Sequence, residues 1–91
     1  MTKIHVEIAL ATKRIRLISR YFVSSYVGKL PKSIALIQPT RQDFADKIEE
    51  LDNFLARNPE VLKKFQTMED GSGIVGMKYL TEAKQILSRM K

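Results

Sequence analysis

Along the first quarter of the chain, Ile4, Ile8, Ala11, Ile15, Ile18 and Phe22 recur at steps of four, three, four, three and four. At 100° per residue these positions gather into a stripe about 80° wide, which is the mark of a helix that buries one face. A second pattern overlaps the start: Ile4, Val6, Ile8 and Leu10 alternate with Lys3, His5 and Glu7, as in a half-buried strand. The helical period runs longer and takes in more residues, so the pattern predicts a helix over about 3–27, with an extended lead-in at residues 2–10 as the alternative. Gly28 then offers a permissive position just past the helix, and Pro31 a stop.

Residues 33–38 read Ser-Ile-Ala-Leu-Ile-Gln between Pro31 and Pro39, a short apolar connector that suits a helical turn or an extended segment equally. The next boundary is better marked. Thr40 suits an N-cap and Asp43 sits three residues on, in a capping-box-like arrangement. Phe44, Ile48, Leu51 and Leu55 continue at four, three and four, predicting a helix over 41–57. Pro59 turns Asn58 away from helical backbone, and the pair suits the N-cap and first position of a third helix over 59–68. Val61, Leu62, Phe65 and Met68 are its apolar positions. Asp70-Gly71-Ser72-Gly73 breaks the pattern. A last helix over 74–90 follows, marked by Met77, Leu80, Ala83, Leu87 and Met90 and widened by Ile74, Tyr79 and Ile86. The expectation is all-α: a compact single-domain bundle of four helices spanning residues 1–91.

Composition narrows the function. The chain has no cysteine, which removes disulfides, thiolate metal sites and thiol nucleophiles. A single histidine, His5, is a poor metal site without a second ligand and a poor base without an orienter, so a structural role is the expectation. Asp43, Asp46 and Glu50 share a helical face, but it lies opposite the apolar stripe, where carboxylates stay solvated and ordinary. Gly71-x-Gly73-x-x-Gly76-x-Lys78 spells a phosphate loop. A helix rather than a strand precedes it, however, so the context that gives such loops their chemistry is missing. Ser88-x-x-Lys91 spells a nucleophile motif on a chain end, without companions. No enzyme, cofactor or metal is expected.

Charge points to a partner instead. Of a net charge of +6, residues 1–41 hold eight basic groups against the single acid Glu7, while residues 42–91 hold eight against nine. Lys13, Arg16 and Arg20 line one face of the first helix at steps of three and four, with Arg14 beside them. Such a ladder meets successive phosphates, so nucleic acid or another polyanion is the first expected partner, in a regulatory role. The same helix carries a second apolar flank, Val6, Leu10, Leu17 and Tyr21, roughly 120° from its main stripe. Val23, Tyr26 and Val27 add to it. That flank supports a second expectation: an adaptor or accessory subunit that docks through Leu10, Leu17 and Tyr21 onto a partner protein or another copy. A membrane surface ranks below both, because the main stripe is the bundle seam. With no apolar run of bilayer length and no signal-peptide charge order, the expected location is the cytoplasm, a mitochondrion or plastid being the alternative.

Overall fold

The computed structural model describes residues 3–26, 30–67 and 76–90. Five helices form among the described residues: α1 (Lys3–Tyr26), α2 (Lys32–Ala35), α3 (Arg41–Arg57), α4 (Pro59–Thr67) and α5 (Gly76–Met90). No strand occurs among the described residues. α1 has 24 residues, about 36 Å at 1.5 Å per residue, as long as the 36 Å greatest extent of the molecule. The radius of gyration of 12.4 Å is the ~12 Å expected of one compact body of this length.

The stripe that predicted α1 is the seam of the bundle. Ile8, Ala11, Ile15, Ile18 and Phe22 are buried, and Ile4 packs at the edge of the same cluster. The alternating reading fails because Val6 and Leu10, which a strand would bury beside Ile4 and Ile8, are 52% and 49% exposed. α3 buries Phe44, Ile48, Leu51 and Leu55; α4 contributes Val61 and Phe65, and α5 contributes Leu80, Ala83 and Ile86. The ring of Phe22 stacks on that of Phe65 at 5.6 Å, tying α1 to α4. α1, α3 and α5 pack against one another pairwise.

The connector resolves into one helical turn, α2, rather than a strand. Ile34 and Ile37 enter the core while Leu36 is left 68% exposed. The end of α3 also differs from its expected role. Asn58 does not cap α4 with its side chain; its Nδ2 donates back to the carbonyl of Phe54 at 2.8 Å. Its own carbonyl accepts the N–H groups of Val61 and Leu62, each at 3.0 Å, and so starts α4. Val27, Met68, Ile74, the Asp70–Gly73 break and Lys91 lie outside the described residues.

The start of α3 follows the expected cap and extends it. Thr40 Oγ1 accepts the N–H of Asp43 at 3.2 Å. The Asp43 carboxylate reaches back past the cap to the N–H of Gln38 and forward to Lys47 Nζ at 2.7 Å. The hydrogen bond from Lys47, and next that from the Gln38 N–H, hold the Asp43 carboxyl below its ordinary value. A carboxyl with a depressed folded-state pKa contributes stability above its unfolded value of about 4, and loses it as pH falls through the folded value. Asp43→Asn is therefore expected to lower stability at pH 7 and to flatten its decline below pH ~4, as urea melts at the two pH values would record.

Two polar side chains sit inside the α1 face, Thr12 and Ser19, 1% and 3% exposed. The hydroxyl of Thr12 finds no hydrogen-bond partner among the described residues. An orphaned buried hydroxyl costs about 1–3 kcal/mol. Thr12→Val keeps the shape and removes the orphan, so it is expected to raise the melting temperature, by about 4–8 °C per kcal/mol gained in a domain this small.

Candidate docking face on the first helix

Burial of the Ile8–Phe22 stripe fixes the rotation of α1 and turns the opposite side outward. Viewed around the helix, Lys13 and Arg20 form one strip of that outward side, with Val6, Leu10 and Leu17 forming the next. Val6, Leu10, Lys13 and Arg20 are exposed, and Leu17 is half-buried. The strip repeats at i, i+4 and i+11, so the three apolar side chains follow one line.

The four expected cations separate into two pairs. Arg14 turns toward α5, where its Nη1 meets Glu82 Oε2 at 2.8 Å. Its guanidinium lies 5.1 Å from the ring centroid of Tyr79, within the range of cation–π attraction. Arg16 turns the other way and donates both Nε, at 3.1 Å, and Nη2 to the carbonyl of Ile37. That fork fastens the chain after α2 against α1. Lys13 and Arg20 make no ion pair or hydrogen bond with the described residues.

Tyr21 divides from the apolar flank in the same way. It is half-buried, packs against the core, and meets the ring of Phe22 edge-on at 6.3 Å. Leu10 and Leu17 remain on the outward side, joined by Val6. The side chains of Val23 and Tyr26 lie outside the described residues.

The acidic face of α3 is absorbed locally. Asp43 serves the cap, Asp46 accepts from Gln42 at 2.9 Å, and Glu50 accepts from Ser33 Oγ at 2.7 Å, joining α2 to α3. Among the described residues no three His, Cys, Asp or Glu side chains converge as metal ligands. No described helix is long and apolar enough to cross a membrane. Cross-helix ion pairs join Glu7 to Arg89 and Asp52 to Lys84, both at 3.1 Å. All are exposed enough to contribute about 0–1 kcal/mol each.

Sequence reasoning did not find the Arg16 clamp or the Arg14–Tyr79 contact. A helical projection shows which face a residue occupies, but not which neighbour stands at the same height. Comparison with family models, with curated proteins and with solved structures found no match for this chain.

Proposed function

We propose that this chain is a non-enzymatic helical docking module, an adaptor or accessory subunit, that meets its partner through the outward face of α1. The supporting observation is a coincidence on one face: exposed Val6 and Leu10 run beside Lys13 and Arg20, the two of the four expected α1 cations that make no ion pair or hydrogen bond with the described residues. Contiguous apolar side chains rimmed by polar ones are the common form of a protein interface, and they gain nothing by facing water. The partner that fits is an apolar surface with an acidic rim. Complementary charge would orient it and speed its approach, while Val6, Leu10 and Leu17 would supply the buried centre.

A photo-crosslinking residue in place of Leu10, in the cells that make the protein, tests this. A discrete protein adduct is expected at position 10 and none at exposed Asn53 on α3. The adduct should disappear with Lys13→Glu plus Arg20→Glu. Nucleic-acid adducts at position 10, or an equal yield at position 53, would sink the docking reading.

The exposed, unpaired Lys13 and Arg20, with the charge excess confined to residues 1–41, favour polyanion binding as a second reading. Arg14 and Arg16 have intramolecular partners, so that reading rests on two cations rather than four. Two phosphate contacts predict a log–log salt slope near about −2 for duplex DNA, against nearly −4 for the full ladder. Titration with duplex DNA across a salt series measures it, and no binding at low salt would remove this reading.

A further inference from the structure

A surface of the kind that α1 calls for exists elsewhere on this same chain. α3 and α5 run antiparallel, and the seam between them opens as two hollows in line. One, of about 340 Å³, is lined by Ile48 and Leu87. The other, of about 270 Å³, is lined by Leu55 and Leu80. Asp52 and Lys84 line both, and their ion pair bridges the groove between them. Exposed Glu49 stands on the α3 rim of the first hollow.

We infer that this groove receives the outward face of α1 from a second copy, so that the chain assembles head to tail. The inference rests on the docking reading of α1 and names its occupant. Three spacings agree. Ile48 to Leu55 and Leu80 to Leu87 are each one heptad, about 10.5 Å along a helix. Leu10 to Leu17 is the same heptad, so the two leucines reach the two hollows together, as side chains of one helix enter the holes of a facing pair. Charge agrees as well. Lys13 lies midway between the leucines, and Glu49, next to Ile48 on the α3 rim, is the acid that remains there once Asp52 pairs with Lys84. Placed face to face, α1 of one copy brings its cation to the acidic rim of the other.

An antiparallel pairing of α1 against α1 is disfavoured by the same charges. Two antiparallel copies would set the Lys13 and Arg20 flank of one against the same flank of the other, a like-charge juxtaposition. The geometry also sets the form of the assembly. α1, α3 and α5 pack pairwise, and no α1 side chain lines either hollow. The groove therefore opens away from α1, on the far side from the docking face. An interface between two different surfaces leaves one of each unfilled in a pair, so it grows a chain, or a ring where the rotation closes, rather than a two-fold dimer.

Sedimentation velocity of the full chain, from about 10 µM to 1 mM, covers the range of weak association expected of a small interface. The mean mass should rise with concentration through and beyond two copies, and fall back with added salt. Leu10→Ser plus Lys13→Ser alters the docking face; Glu49→Gln plus Ser88→Arg alters the groove. All four positions are exposed, and circular dichroism checks that both variants fold. Each variant alone should associate about tenfold more weakly or worse. An equimolar mixture should form a one-to-one pair that stops at two, because each variant keeps one intact surface.

A monomer throughout, or a dimer indifferent to the groove variant, would overturn head-to-tail assembly. The crosslink at position 10 separates that failure from failure of the docking reading. An adduct of two copies of this chain supports both. An adduct with a different protein, and no self-association, keeps the docking face and removes the self-assembly.

Discussion

Phe22→Ala is expected to leave much of the protein unfolded under conditions in which the parent is folded. The ring is fully buried and stacks on Phe65 at 5.6 Å with 30° between planes. Removing a buried Phe side chain costs about 3–5 kcal/mol in lost burial and cavity. A domain of this size has about 5–14 kcal/mol in all, at 0.05–0.15 kcal/mol per residue. The loss is thus a large fraction of the whole. It also falls where α1 meets α4, an element of 9 residues that is too short to hold as an isolated helix in water. Urea melts followed by far-ultraviolet circular dichroism would record it as a midpoint displaced toward zero. Phe54→Ala is the control: Phe54 is half-buried, so a smaller displacement is expected. Equal effects of the two would show that ring burial at the α1–α4 junction is not the source.

The parts of the fold that were legible are those where periodicity and punctuation agree. α3 occupies the expected 41–57 because Thr40 starts it, Pro59 ends it and Phe44, Ile48, Leu51 and Leu55 keep one period between. α1 was legible through the length of its stripe, which outlasted the competing alternation by more than three turns. α2 was not, since a helix of 4 residues is too short to show any period. Its place is set instead by Ile34 and Ile37 entering the core and by Arg16 holding the carbonyl of Ile37.

The candidate face was legible to the same depth. Its apolar line and its cations follow from the rotation of α1, which the stripe gives. The division of the cations does not, because Glu82 lies 68 residues from Arg14 in the chain and the carbonyl of Ile37 lies 21 from Arg16. Nothing local in the sequence marks either partner. The neutralising acid for Arg14 comes from α5 rather than from the acidic face of α3.

That division has a consequence for any experiment on the basic face. Arg16→Gln should cost about 1.5–3 kcal/mol, the range for a charged hydrogen bond, because both arms of its fork reach one partly shielded carbonyl. The glutamine is too short and not forked, so the carbonyl of Ile37 loses its donors and the α2 connector loses its anchor on α1. Arg20→Gln and Lys13→Gln, exposed and unpaired, should each change stability by no more than about 0.5 kcal/mol. With a urea m-value of about 1–1.5 kcal/mol/M for a domain of this size, Arg16→Gln should lower the midpoint by about 1–3 M while leaving the slope unchanged. The other two should barely move it. A midpoint shift for Arg20→Gln as large as that for Arg16→Gln would contradict the assignment of Arg16 to the fold and Arg20 to the surface. Loss of binding in an Arg16 variant consequently reports on folding before it reports on a partner. Lys13 and Arg20 are the positions at which loss of binding with unchanged stability identifies the docking face.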